Sequence, residues 1–294
     1  AGNVYLGNLE HVVLDEMDTM LEQGFAPDLA KLLHPVLYHS HKPQPDQSLQ
    51  PHAPKVILTS ATMTRAIQRL LQTMDGPRDD RINAKRHFIN DKQNPNARMV
   101  LPRMSILKAP GLHRAVPRLQ QVFVDVGNID KLSLLVDVLH SGGGRGAGVR
   151  QADTDDRALT LVFCNTVSSC RAAQYALAEA GLKSLCYHGE LNSIARAQNL
   201  EIFRKAGLGE TMSPEEKNPP RILVCTDLAA RGLDVPQVDH VVMFDFPLNS
   251  LDYLHRSGRT ARGMQNDRRG NGRVTALVAK RDKVLAGAIE RAVQ

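Results

Sequence analysis

LTLVFCNTVSSCRAAQYALAEAGLKSLCYHG, Leu159–Gly189, decides the fold. Leu159–Asn165 is a near-continuous apolar run, Ser168–Gly181 carries apolar and small residues at helical spacing, and Ser184–Gly189 opens a second short apolar run. That is one strand–helix–strand unit. A strand without a polar face is buried on both sides, which is the mark of a parallel sheet covered by helices.

The same pattern runs outward. QQVFVDV (120–126), RILVCTD (221–227), HVVMFDF (240–246) and VTALVAK (274–280) are further apolar runs, and IDKLSLLVDVLH (129–140) and SIARAQNLEIFRKA (193–206) have helical spacing. Six strands alternating with helices predict a complete α/β domain with a mostly parallel sheet. The earlier part is poorer. HVVLD (11–15) and KVILTS (55–60) read as strands, TRAIQRLLQTM (64–74) as a helix, and RINAKRHFINDKQNPNARMVLPR (81–103) as a polar stretch. Two or three strands do not easily close a parallel core, and the chain begins at Ala1, without Met and almost directly in a strand. The expectation is that an N-terminal part is missing. APGLHRAVPRLQ (109–120) fits a linker, giving a partial first domain over 1–115 and a second over 116–294. HSHKPQPDQSLQPHAP (39–54), SGGGRGAGVRQADTDD (141–156) and GLGETMSPEEKNPP (207–220) read as loops or insertions. The GGGRG piece lacks a Gly-Lys-Ser/Thr ending and no strand feeds directly into it, so an insertion is preferred to a phosphate loop.

Composition narrows the classes. The 294 residues are 42% hydrophobic and 23% charged, which fits a globular protein, and no apolar run approaches a bilayer span. A formal charge of +6 and a pI near 9.2 suit an anionic partner such as RNA. Aromatics are only 4% and Trp is absent, which argues against stacking of bases on aromatic platforms. Cys164, Cys170, Cys186 and Cys225 form no CxxC pair, and three lie inside apolar runs, so they read as small buried hydrophobes of a reducing compartment. AGNVYLGNLE (1–10) resembles neither a signal peptide nor a transit peptide. The expectation is an intracellular protein with no membrane partner.

Four clusters carry chemistry. Asp15, Glu16 and Asp18 end the first strand, where ligands bind in open α/β sheets. An Asp there can hold Mg²⁺ and a Glu can orient an attacking water. Thr19–Glu22 also fits a capping box, so part of this polarity has a purely structural reading. Ser60 and Thr62 follow the second strand; small hydroxyls can bond a carboxylate or phosphate, or simply cap the next helix. CTDLAARGLD, Cys225–Asp234, sets Thr226 and Asp227 at a strand end, with Arg231, Gly232 and Asp234 in a non-periodic stretch. Such groups can take a phosphate and a ribose hydroxyl, or mark a strand-to-loop transition. YLHRSGRTARG, Tyr253–Gly263, crowds His255, Arg256, Arg259 and Arg262 together. If helical spacing holds, His255, Arg259 and Arg262 share one face. Arg forks suit phosphate, and an arginine finger competes here with a solvated basic face.

In order, DExD, SAT, TD-x₃-RG-x-D and HR-x-GR-x-x-R resemble the second half of a DEAD-box RNA helicase of superfamily 2. LVFCNT and YHGELNSIARAQNLEIF resemble two further motifs of that family. The phrasing of Asp239–Arg262 resembles an organelle-associated branch from plants and algae. The resemblance implies an α/β fold of two RecA-like domains, the first incomplete here. ATP and Mg²⁺ would be the cofactors, and RNA would be bound through its backbone. Asp15 and Glu16 would serve Mg²⁺ and the hydrolytic water. Asp18, Ser60, Thr62 and His255 would couple the nucleotide site to RNA. Gly232, Asp234 and Arg256 would lie on the nucleotide, Arg259 and Arg262 on its γ-phosphate. Gly189, Arg196, Thr226 and Asp227 would lie on the RNA side. Three departures stand out. Met17 replaces a usual Ala, with a packing change expected. Ser193 stands where Gln is common. No Gly-x-x-x-x-Gly-Lys-Ser/Thr occurs in the chain.

The preferred reading is the later part of an ATP-dependent RNA helicase that unwinds or remodels RNA locally by domain closure, in organelle rRNA processing or ribosome assembly. Lacking the P-loop, the chain alone is expected to be inactive. The alternative is an ATPase-inactive, helicase-derived RNA-binding subunit of a ribonucleoprotein. A DNA helicase or another RecA-like motor is a third reading that the DExD-with-SAT combination disfavours.

Overall fold

The structure is a computed structural model and describes residues 9–22, 24–39, 54–72, 105–107, 119–140, 158–210, 218–227, 238–260 and 272–293. The chain divides into two compact units, 1–113 and 114–294.

In the second unit the apolar runs become β3 (Gln120–Asp125), β4 (Thr160–Cys164), β5 (Ser184–Tyr187), β6 (Ile222–Thr226), β7 (His240–Met243) and β8 (Arg273–Val278). They form one sheet, β3-β8-β7-β4-β6-β5, in which every pairing is parallel. The period of two sorts side chains to two faces. Leu161, Phe163, Leu223, Cys225, Val241, Met243, Val274 and Ala276 join one core; Val162, Cys164, Val224, Val242 and Leu277 join the other. Helices cover both faces. Leu135 and Val138 of α4 (Lys131–His140) and Cys170, Ala173 and Leu177 of α5 (Val167–Glu179) pack on the second. Phe203 and Ala206 of α6 (Ser193–Leu208), Tyr253 of α7 (Ser250–Ser257) and Ala286 and Ile289 of α8 (Lys283–Val293) pack on the first. Fully burying a side chain such as Phe203 contributes about 1.5–3 kcal/mol. All four cysteines are buried in these cores.

Side-chain oxygens set the helix starts. Thr166 accepts from Ser169 N, Asn192 from Ala195 N and Asn249 from Asp252 N. Helix α6 continues through Gly207 and Leu208, two residues into the expected insertion, and stops at Gly209 with φ 77°, a left-handed cap that glycine adopts without a Cβ penalty. A polar layer lies by the starts of β7 and β8. Asp239 accepts from Leu159 N at 2.8 Å, and His240 Nε2 meets Thr275 Oγ1 at 2.9 Å. Burial, aided by the Arg273 charge, pushes the His240 pKa down to about 3.

In the first unit, β1 (His11–Leu14) and β2 (Lys55–Leu58) pair in parallel, His11 beside Lys55 and Leu14 beside Leu58. Val12, Leu14, Val56 and Leu58 pack on Met17, Leu21, Ala26, Leu29, Leu33 and Ile67 from α1 (Met17–Glu22), α2 (Ala26–His39) and α3 (Arg65–Gln72). Met17, the replacement for the usual Ala, is a core residue at 1% exposure. Helix α1 begins at Met17, so Thr19 lies inside it, and the capping box expected at Thr19–Glu22 does not form the helix start. Among the described residues no helix is long and apolar enough to cross a membrane.

Candidate functional site

The first unit brings its polar residues to the ends of its paired strands. Asp15 follows β1, and its Oδ1 accepts from Glu16 N at 2.9 Å and from the Thr59 hydroxyl that follows β2. Thr59 N donates to Leu14 O at 2.9 Å and Met17 N to Thr59 O at 3.1 Å, so the acidic turn is stitched to the neighbouring strand end. Glu16 has φ 51°, the lone non-glycine positive φ among the described residues. A left-handed Glu is uncommon, and such strain gathers at functional turns. Asp18 is fully buried. Its Oδ1 accepts from Thr19 N at 3.0 Å; its Oδ2 accepts from Thr62 Oγ1 at 2.7 Å and Thr62 N at 3.1 Å. Ser60 Oγ donates to Thr62 O at 2.6 Å. Asp18, Ser60 and Thr62 are thus one bonded group.

The second unit gathers the ends of β4, β6 and β7. Thr226 ends β6, and Asp227 is partly buried beside it. Arg256, on α7, is 1% exposed. Its Nε donates to Asp227 Oδ1 at 2.7 Å and its Nη2 to Asp227 Oδ2. Nη1 reaches Asp245 O at 2.6 Å, and Nη2 also reaches Asn165 Oδ1 at 2.6 Å. Four donations in a buried setting fix the guanidinium inside the fold.

Helix α7 ends at Ser257, so the helical spacing on which a shared face depended does not continue from His255 to Arg259. Gly258 caps it by donating to Leu254 O at 2.8 Å, and a Cβ there would stand 3.1 Å from that oxygen. Arg259 falls in the following turn, 9% exposed, its N–H donating to Arg256 O at 3.1 Å. His255 is half-buried on α7. Arg196 is half-buried in the first turn of α6, and Gly189 is exposed in the turn after β5. Arg231, Gly232, Asp234 and Arg262 lie outside the described residues.

Sequence reasoning missed Asn165, Asp245 and Lys131. Asp245 follows β7 and accepts from Lys131 Nζ at 2.6 Å and Asn165 N at 3.0 Å. Burial pushes its carboxyl up, but Lys131, the Asn165 N–H and Ser169 outweigh it and hold the group below the usual carboxylate range. The available signal was a lone Asp inside the apolar run HVVMFDF.

Among the described residues no group of three or more His, Cys, Asp or Glu is arranged to hold a metal. Mg²⁺ commonly takes one or two carboxylates and completes its shell with phosphate and water. Asp15, with both of these hydrogen bonds on Oδ1, offers such a carboxylate.

Comparisons with known proteins bear on the family and the fold. Residues 1–70 match the family model for DEAD/DEAH box helicases, and residues 130–264 match that for the helicase conserved C-terminal domain. The chain is 36% identical over 294 residues to DEAD-box ATP-dependent RNA helicase 39 of Arabidopsis thaliana, covering all of this chain and 38% of that protein. It is 35% identical over 185 residues to DEAD-box ATP-dependent RNA helicase 22 of Oryza sativa subsp. japonica, covering 62% of this chain and 28% of that protein. The chain therefore spans well under half the length of these relatives. Among solved structures, S. cerevisiae Dbp5 bound to RNA and ADP BeF3 shares the fold with a TM-score of 0.63 at 20% identity, over 95% of this chain and 56% of that one. Both units thus have a RecA-like α/β fold, and the chain belongs to the DEAD-box helicase family.

Proposed function

We propose that this chain works in an ATP-dependent RNA helicase, an RNA-stimulated ATPase whose two RecA-like units close on ATP and RNA and locally separate or remodel the RNA. The observation that supports this most is the Asp18–Thr62 bond. It ties the segment after β2 to the turn that presents Asp15 and Glu16. A group bound at Asp15 and Glu16 is then felt across a buried carboxylate by Thr62.

In this reading Asp15 holds Mg²⁺, and Glu16 orients the water that attacks the γ-phosphate. Bound Mg²⁺ would neutralise charge developing on the phosphates. Arg259 and Arg262 stabilise that charge, Gly232 and Asp234 hold the nucleoside, and His255 joins the Asp18, Ser60 and Thr62 group on closure. Gly189, Arg196, Thr226 and Asp227 face RNA, with backbone contacts that ask little of its sequence. Arg256, expected on the nucleotide, has its guanidinium tied up inside the fold and acts indirectly, by fixing Asp227 on the RNA side and the turn of Arg259 on the nucleotide side. The proposed RNA is ribosomal RNA or a ribonucleoprotein particle in a chloroplast or mitochondrion, in keeping with the phrasing of Asp239–Arg262.

The test is RNA-stimulated ATP hydrolysis by the protein as isolated from its source, beside the 294-residue chain. The chain holds no Gly-x-x-x-x-Gly-Lys-Ser/Thr segment and is expected to bind RNA without turnover. In the isolated protein, Glu16→Gln should abolish turnover while ATP still binds. Full turnover in that variant overturns the assignment. RNA affinity indifferent to ATP and no turnover in the isolated protein would instead establish a second reading, an ATPase-inactive RNA-binding subunit.

A further inference from the structure

Lys131 belongs to none of the family motifs. It is the first residue of α4, yet its ammonium sits 2.6 Å from Asp245 Oδ1 and 4.4 Å from the centre of the Phe244 ring. The Asp245 side chain is only 10% exposed. Beyond it the polar contacts run in series. Asp245 Oδ2 accepts from Asn165 N at 3.0 Å, and Asn165 Nδ2 donates to Phe246 O at 3.0 Å. Asn165 Oδ1 and Asp245 O then take two arms of Arg256, each at 2.6 Å. Arg256 grips Asp227, and its carbonyl accepts the N–H of Arg259.

The charges alternate along this series: Lys131 positive, Asp245 negative, Arg256 positive, Asp227 negative. Removing the first leaves one uncompensated carboxylate in a mostly buried place, which is costly. The carboxylate can relieve that cost by turning toward water or taking a proton. Either change loosens its hold on the Asn165 N–H. Asn165 then no longer fixes the Arg256 fork from the β4 side.

We propose that Lys131 is a positioning residue. By locking Asp245 and Asn165 it holds the Arg256 fork, and so sets the turn that carries Arg259. The consequence for turnover rests on the helicase reading; the lock itself does not.

The experiment has two arms. In the 294-residue chain, the Arg256 Nε–Hε resonance of ¹⁵N-labelled protein should be sharp and slow to exchange with solvent. It should broaden or exchange quickly in Lys131→Met and be restored in Lys131→Arg. Lys131→Gln, which keeps a donor without the charge, replaces the Met variant if that does not fold. In the protein isolated from its source, Lys131→Met should lower kcat about tenfold with KM for ATP within about twofold, and should add less than about twofold when Arg259 is already Ala, because coupled residues are not additive. An unchanged Arg256 resonance overturns the lock. Losses that multiply in the double variant overturn action through Arg259. A wild-type protein without ATPase activity overturns the proposed function, and the resonance then decides the lock alone.

Discussion

His240 provides a quantitative test of the core of the second unit. Its imidazole is 3% exposed, bonded to Thr275 Oγ1 and beside Arg273, and these surroundings hold its pKa at about 3 against an ordinary 6.5. Between these values the unfolded chain takes up a proton that the native protein refuses. Stability therefore rises with pH across this window. The contribution is complete above pH 6.5 and is lost progressively as pH falls toward 3. Each pH unit is worth about 1.4 kcal/mol, so lowering the pH to about 5 removes roughly 2 kcal/mol, a large share of the roughly 5–15 kcal/mol that holds an ordinary domain. His188 shifts the same way, through burial and the Arg171 charge outweighing Glu190, so the wild type carries both effects. His240→Gln isolates one of them. Hydrogen exchange read on peptides covering β7 and β8, corrected for the intrinsic pH dependence of exchange, gives the opening free energy of this sheet. The wild type should lose roughly 2 kcal/mol more than His240→Gln between about pH 7 and pH 5. Parallel loss in the two proteins would show that His240 is not kept neutral, and the reasoning fails.

Two further outcomes follow from the sites. Arg256→Lys keeps the charge but cannot make four donations in a fixed plane, and should destabilise the second unit by about 3 kcal/mol in urea titrations; a cost below about 0.5 kcal/mol, the size of an ordinary surface change, would contradict the described fork. Glu16→Gly relieves a left-handed backbone and should raise thermal stability by roughly 1 kcal/mol while removing ATP turnover from the protein isolated from its source. A less stable variant would mean that the φ of 51° carries no strain.

The inner strands of the second unit were legible because burial on both faces leaves nowhere for polar residues. All five residues of β4 are buried, and the sequence TLVFC says as much. The site was legible in part, and distance along the chain marks the limit. Asp18 and Thr62 were both named, but 44 residues separate them and no local pattern announces their bond. Three arginines stand within seven residues of one another in HRSGRTAR. Arg256 is held inside the fold by Asp227, 29 positions away, and Asn165, 91 away. Lys131 and Asp245 are 114 apart. Local spacing misled at the end of α7, where helical periodicity was projected past Gly258. The start of α1 was set by a bond from Met17 N to Thr59 O on the neighbouring strand end, which a capping motif cannot foresee.

The four buried cysteines have a practical consequence for testing whether the two units move. Hydrogen bonding to Cys170 and burial push the Cys164 thiol up, and burial pushes Cys225 up and Cys186 to about 12. A thiol with little thiolate and no exposed sulfur reacts slowly with maleimides. Cysteines introduced on the exposed faces, one per unit, should then be the sites that take a dye. Two dyes would turn the separation of the units into an optical signal, read as nucleotide and RNA are added, with the native thiols left in place.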